Sequence, residues 1–141
     1  MTRRLRCARW AFILAIALSL PGCAALHRHQ CRTGEEVVIH DSLYLGVDTP
    51  NGIVTPDEFA EFLKSAVTPR FPQGLTVWQA SGQWRSKDGA IVREASRILN
   101  LVHPDDEFTE AAVIEIIFAY KSRFQQEAVL RVKAYACASL Q

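Results

Sequence analysis

The chain has 141 residues and a formal net charge of +1, and 49% of its residues are hydrophobic. This length allows one domain once a targeting segment is set aside. The near-neutral charge gives no electrostatic reason to expect a nucleic-acid partner, and the apolar content is too high for a disordered protein. We therefore expect one small folded domain that does not bind nucleic acid.

The N-terminus has the three parts of a secretory signal peptide. Residues 1–9 contain four arginines, and residues 10–20 form an apolar run that is shorter than the roughly 20 residues a membrane-spanning helix needs. Small residues follow at the point where cleavage would occur. We predict that residues 1–22 are a signal peptide and that the protein is exported to the cell envelope.

The end of this segment resembles a bacterial lipobox. Leu20, Gly22 and Cys23 match the motif, whereas Pro21 stands where a small residue is usual. The resemblance implies a lipoprotein anchored to the membrane by palmitate-type acyl chains on Cys23, since two or more chains are enough for stable anchoring. The alternative is ordinary cleavage near Ala24, which would release a soluble periplasmic or secreted protein.

Residues 23–34 are short and polar and are predicted to be a tether. The first predicted strand covers residues 37–47, because its side chains alternate between an apolar and a more polar face. Asp41 interrupts the apolar face once. Residues 48–52 form a cluster of turn-favouring residues. Thr55 then begins a helix with a capping box to Glu58, and Pro69 prevents its continuation.

Residues 75–85 have strand character, and the turn signal at residues 87–89 predicts a hairpin to a strand over residues 90–102. A second helix is expected from Thr109 to about Phe124, and a last strand over residues 129–136. The predicted apolar stripe of the second helix is Val113, Ile114, Ile117, Tyr120 and Phe124.

The element order is therefore β-α-β-β-α-β over residues 35–141. This order predicts an α+β, ferredoxin-like domain in which both helices cover one face of a four-stranded antiparallel sheet. The first and last strands are neighbours in this fold, so Cys31 and Cys137 should lie close together. Cys7 leaves with the signal and Cys23 is assigned to the lipid, so a disulfide between the other two is expected in an oxidising compartment.

Five sequence blocks resemble the bacterial family known as domain of unknown function 3574. They lie at residues 41–46, 68–72, 74–77, 82–85 and 126–131, within a resemblance that extends over about residues 36 to 138. The resemblance implies an exported bacterial protein, often a lipoprotein. It implies no activity, substrate or catalytic residue.

The sheet face left open by the helices is the predicted binding surface, because it must meet solvent, a ligand or a partner. Alternation places His40 and Tyr44 on this face. Trp78 and Trp84 share one face of their strand, and alternation does not decide which face this is. If it is the open face, both rings belong to the predicted binding surface. The alternative is that they pack in the core or at a dimer contact.

Charged residues surround the second and third predicted strands, and Arg70, Arg85 and Glu94 complete the candidate binding set. Such residues usually form solvated ion pairs, but arginines beside aromatic rings can also hold a carboxylate or a phosphate. The histidines around Cys31 match no structural zinc pattern. We therefore predict no metal and no cofactor.

Two functions fit these observations. The first is a non-catalytic envelope protein whose open sheet face binds a small molecule or another protein, with a homodimer as one arrangement. The second is a small enzyme with a pocket at that face, in which Arg85, His40 or Tyr44 would act on the substrate.

Overall fold

The computed structural model describes residues 30–140, and the predicted signal peptide, Cys23 and most of the tether lie outside them. No helix among these residues is long and apolar enough to span a bilayer. The elements in chain order are β1 (Glu36–Gly46), β2 (Asp48–Thr49), β3 (Gly52–Ile53), α1 (Pro56–Phe62) continued by a π-helical turn (Leu63–Val67), β4 (Thr76–Arg85), β5 (Ile91–His103), α2 (Glu107–Phe124) and β6 (Leu130–Ala138).

The four long strands form one antiparallel sheet in the order β4-β5-β1-β6. The first and last strands are neighbours, with Glu36 paired to Ala138 and Tyr44 to Leu130. The other side of β1 pairs with β5. The predicted α+β ferredoxin-like arrangement is confirmed.

The core lies between the sheet and the helices. Alternate residues of β1 face it, and Ile39, Leu43 and Leu45 are fully buried there. Aromatic residues of both helices complete it through edge contacts, such as the 5.1 Å between the ring centroids of Phe62 and Tyr120. The open face of the sheet therefore carries the other residues of each strand.

The start of α1 follows the predicted capping box. The Thr55 hydroxyl accepts from the Glu58 N–H, while the Glu58 carboxylate accepts from the Thr55 N–H at 2.8 Å. The start of α2 is capped by Asp106, whose carboxylate accepts from the Thr109 N–H at 2.8 Å. Asp106 therefore caps the helix, whereas its neighbour Asp105 accepts from the Tyr135 hydroxyl at 3.0 Å.

The predicted apolar stripe of α2 is wrong at one position. Ile114 is 54% exposed, and Ile116 is fully buried in its place. The core-facing positions Val113, Ile116, Tyr120 and Phe124 follow one another at intervals of three or four residues, and Ile114 lies outside this series.

The predicted turn cluster after β1 is a small hairpin. Asp48 pairs with Ile53 and Thr49 with Gly52. Gly52 has a φ of 140°, a conformation that other residues rarely adopt. The hairpin stands at the end of β1, beside the open face of the sheet.

The predicted disulfide between Cys31 and Cys137 is formed, with the two Cα atoms 5.5 Å apart. Val37 pairs with Cys137 in the β1–β6 ladder, so the bond joins the start of β1 to the end of β6. It closes a loop over a sequence separation of 106 residues.

The buried Asp41 is the centre of an ionic network on the helix side of the sheet. Arg131 donates to both Asp41 carboxylate oxygens at 2.7 Å and also contacts Glu110, and His103 Nε2 lies 2.9 Å from Asp41 Oδ2. Burial would raise the pKa of Asp41, but the hydrogen bonds from Arg131 and His103 hold it below its ordinary value. Hydrogen bonds from Arg131 and Lys133 lower the pKa of Glu110 to about 2. The one polar residue on the apolar face of β1 is therefore fully paired.

Candidate functional site

The open face of the sheet carries both tryptophans whose face the sequence left unassigned. Trp78 is 45% exposed and Trp84 is 43% exposed, so neither ring is part of the core. Trp78 pairs with Ile98, which also pairs with Tyr44, so these residues lie on the same face. Trp78 and Trp84 are an even number of residues apart on β4, so both rings lie on the open face of the sheet.

Two cavities lie at opposite ends of this face. The first, which we call the hairpin-end cavity, is where the β2–β3 hairpin, the β4–β5 turn and the α2–β6 loop converge, and its volume is about 710 Å³. Its main lining residues are Tyr44, Gly46, Gly82, Trp84, Glu94, Ser96 and Gln126. The second, the disulfide-end cavity, has a volume of about 840 Å³ and is lined by His40, Trp78, Asn100 and Val102 among others.

The floor of the hairpin-end cavity consists of residues with little or no side chain. Gly46 pairs with Ser96, and Gly82 pairs with Glu94 in the next ladder. A Cβ added at Gly82 would meet no atom within 4 Å. Gly82 therefore leaves open space on the floor, whereas the ends of the Glu94 and Gln126 side chains lie over Gly46.

Glu94 is the partly buried acidic group of this cavity, whose lining also includes the exposed Asp48 and Glu127. Its carboxylate makes no hydrogen bond or ion pair with any residue between 30 and 140. Desolvation raises the pKa of Glu94, and the nearby negative charge of Asp48 raises it further. An unpaired carboxylate that loses solvation is a group that favours a cationic or hydrogen-bond-donating ligand.

Gly46 allows Glu94 and Gln126 to approach the sheet closely. A Cβ at Gly46 would lie 2.9 Å from Glu94 Oε1 and 2.9 Å from Gln126 Oε1. Gln126 Nε2 donates to the Asp48 carbonyl at 2.6 Å and to the Phe124 carbonyl at 3.3 Å. Because the amide nitrogen is held in this way, the Gln126 oxygen is left facing the space above Gly46.

Two cations, Arg85 and Lys87, also line this cavity, and neither forms an ion pair with Glu94. Arg85 Nη1 donates to the Gly89 carbonyl at 3.2 Å. Lys87 forms an ion pair with Glu127 at 2.6 Å, and the hydrogen bond and charge of Glu127 raise the pKa of Lys87. Within the described part of the chain, no cation therefore lies within ion-pair distance of Glu94.

The remaining predicted site residues do not join this cavity. His40 Nε2 lies 2.7 Å from Asn100 Nδ2 at the other end of the face, near Trp78. Arg70 lies in the helical layer, where its Nη2 contacts Glu115 at 2.8 Å and its Nη1 donates to the Ala66 carbonyl. Tyr44, Trp84, Arg85 and Glu94 are the four predicted residues that the fold brings together.

The sequence-based set lacks four of the main lining residues, which are Gly46, Gly82, Ser96 and Gln126. Gly82 carried a usable signal, since a glycine inside a strand often marks a close approach or an open space. Gly46 lies at the end of β1, where a glycine is easily taken for the start of the turn. Gln126 carried no signal, because its position depends on how the α2–β6 loop meets the β2–β3 hairpin.

Solved structures with similar folds include those of two proteins. A phage SAM lyase in complex with S-methyl-5'-thioadenosine superposes with a TM-score of 0.54 at 13% identity, covering 79% of this chain and 94% of that chain. CutA from Synechococcus elongatus PCC7942 superposes with a TM-score of 0.53 at 14% identity, covering 77% of this chain and 84% of that chain. At these identities the similarity supports the fold alone.

Sequence comparison identifies the family. No curated protein matches the chain at a significant level. One family model matches residues 40–140, which include β5, α2, β6 and most of β1, together with the residues of both cavities from His40 onward. The chain therefore belongs to the family described as "Protein of unknown function (DUF3574)".

Proposed function

We propose that the protein is an exported, lipid-anchored binding protein of the cell envelope, and that the hairpin-end cavity holds a small organic ligand. The observation that carries the proposal is a cavity of about 710 Å³ in which the rings of Tyr44 and Trp84 flank a floor without large side chains. This volume is within the range of small-molecule sites, and apolar walls with a few polar groups are typical of them. The carboxylate of Glu94 and the side-chain amide of Gln126 are the polar groups beside Gly46.

The export part of the proposal rests on the N-terminal sequence and predicts a defined mature protein. Expressed with its own N-terminus in a bacterium, the chain should begin at Cys23 and carry acyl chains on that residue. Intact-mass measurement of membrane-fraction protein checks this, with Cys23→Ser as the matched control that should lose the added mass. An unmodified protein beginning at a later residue would show that the signal is of the ordinary secretory type.

Filling the floor of the hairpin-end cavity should prevent ligand binding. In Gly82→Leu the new side chain enters open space, so we expect the fold to be retained and the affinity for any ligand of this cavity to fall by about tenfold or more. The probes are 2-phenylethanol, 2-phenylethylamine and 3-phenylpropionate, which share one ring and differ in charge. Two-dimensional NMR titration of the mature domain reports where each probe binds.

The matched control is Ala134→Leu, which enlarges an exposed position of β6 on the same sheet face, away from this cavity. It should leave the affinity for the probes unchanged. The proposal fails if no probe perturbs the cavity residues, or if Gly82→Leu binds the probes as tightly as the wild type. A homodimer that covers the open face would also contradict it, and sedimentation analysis detects such a dimer.

A small enzyme is the second candidate, and Glu94 is the observation in its favour. A carboxyl group with a raised pKa in a concave site can act as a general acid or base. His40 cannot assist from the opposite end of the sheet, so Glu94, Tyr44 and Arg85 would carry the chemistry. The two functions differ in the fate of the ligand: a binding protein returns it chemically unchanged, and an enzyme converts it.

A further inference from the structure

We infer that the ligand of the hairpin-end cavity carries a positively charged nitrogen, as in an alkylammonium or guanidinium compound, and that Glu94 recognises this charge beside the rings of Tyr44 and Trp84. The inference rests on the proposed function, because it names the ligand class of the same cavity. It is carried by the position of an unpaired carboxylate over Gly46, between two aromatic side chains.

The charge balance of the cavity is the first argument. Glu94 has no cation within ion-pair distance among residues 30–140, and Asp48 adds a second negative charge nearby. The cavity lining holds three carboxylates and two cations, Arg85 and Lys87, and Lys87 is paired to Glu127. A cationic ligand would supply the counter-charge, whereas an anionic ligand would add repulsion to a group already losing solvation.

The aromatic walls are the second argument. The face of a tryptophan or tyrosine ring attracts a cation placed within about 6 Å of its centre, and tryptophan is the best of these rings. No hydrogen bond within the described residues occupies the Trp84 indole N–H or the Tyr44 hydroxyl. Rings that line a cavity together with a carboxylate are the combination used to bind ammonium groups.

The geometry above Gly46 is the third argument. Glu94 Oε1 and Gln126 Oε1 both approach the point that a Cβ would occupy, at 2.9 Å each. These two oxygens already fill the space against the glycine, so ligand N–H groups that reach them from the cavity would meet two neighbouring acceptors, one charged and one neutral. A carboxylate or phosphate ligand would meet no donor there, since the Gln126 amide nitrogen is already committed to two carbonyls.

The three phenyl probes test this inference directly. We expect 2-phenylethylamine to bind about tenfold or more tightly than 2-phenylethanol, and 3-phenylpropionate to bind most weakly, because a hydrogen bond to a charged partner contributes more than a neutral one. Glu94→Gln keeps the size and shape of the side chain. It should lower the affinity for 2-phenylethylamine to about that for 2-phenylethanol and so remove the preference for the amine.

The control is Glu61→Gln, which removes an exposed charge of α1 that does not line the cavity. It should preserve the order of the three affinities. Equal affinity for the amine and the alcohol, or an amine preference that survives Glu94→Gln, would overturn the inference and leave the binding function standing. Failure of all three probes to bind would instead count against the proposed function itself.

A pH titration supplies an independent readout. The charged groups around Glu94 are Asp48 on β2, Arg85 at the end of β4, the Lys87–Glu127 pair, and Arg97 and Tyr120 behind the sheet. Since the pKa of Glu94 is raised, the carboxylate gains a proton at a higher pH than an ordinary glutamate does. The affinity for 2-phenylethylamine should fall as the pH is lowered through that pKa, and the affinity for 2-phenylethanol should stay constant. Parallel changes for both probes would contradict the role of Glu94.

Discussion

Replacing Cys31 and Cys137 by serine should lower the free energy of unfolding by about 4–5 kcal/mol, the value expected for a loop of about 100 residues. The bond acts mainly on the unfolded chain, whose ends it holds together, so the native sheet should form with the same register. Urea denaturation of the mature domain measures the loss. This is most of the stability of an ordinary small domain.

The wild-type domain in a thiol reductant is the control, and it should show the same loss as the double serine variant. A single Cys31→Ser variant should be no more stable than the double variant, because one remaining thiol closes no loop. A loss below about 1 kcal/mol would mean that the unfolded chain is already compact enough to keep these residues close.

Replacing Arg131 by methionine should cost about 3–5 kcal/mol of stability. Asp41 is fully buried, and Arg131 contacts both of its carboxylate oxygens. The substitution keeps much of the side-chain volume but leaves the carboxylate with His103 as its remaining partner in the described structure. A buried charge without its counter-ion is among the most destabilising changes a core can suffer.

The double variant Asp41→Leu with Arg131→Met separates the charge effect from packing. It should recover a large part of the loss, because an apolar pair of similar volume replaces the ionic one without an unpaired charge. Arg93→Met is the matched control at an exposed arginine of β5, and we expect less than about 0.5 kcal/mol there. An equal loss in the single and double variants would show that packing, rather than charge, accounts for the role of Arg131.

Much of the fold follows from local patterns. The alternation in residues 37–47, the capping box at Thr55 and the turn signal at residues 87–89 each predicted an element whose ends lie within one or two residues of the observed ones. The element order then implied the adjacency of Cys31 and Cys137, which the disulfide confirms. Local pattern was less informative on α2. Three isoleucines lie close together there, at positions 114, 116 and 117, so the sequence alone does not show which of them faces the core.

The candidate site was predictable only in part, for a physical reason. Alternation assigned Tyr44 to the open face, whereas Trp84 was nominated with its face unassigned and Glu94 was nominated for its charge. The ends of the sheet are set by the length and register of each strand, which a single sequence does not specify. His40 and Tyr44 are four residues apart on one strand, and they therefore lie in different cavities.

The sequence also could not separate the arginines by role. Three arginines with the same chemistry have different partners. Arg70 pairs with Glu115 in the helical layer, and Arg131 pairs with the buried Asp41. Arg85 donates to a backbone carbonyl of the β4–β5 turn. The interruption of the apolar face by Asp41 indicated a buried polar group. Its partner comes from a strand 90 positions further along the chain, which no local pattern reveals.

The disulfide also determines how the domain would respond to mechanical load. β1 and β6 are antiparallel neighbours, so tension between the chain before Cys31 and the chain after Cys137 would pull the ladder apart from the Glu36–Ala138 pair, one residue pair at a time. With the bond closed, the force crosses the two sulfur atoms, and residues 32–136 carry none of it. A domain held to a surface through its N-terminal side could therefore be pulled from the other side of the bridge without unfolding, for as long as its surroundings remain oxidising.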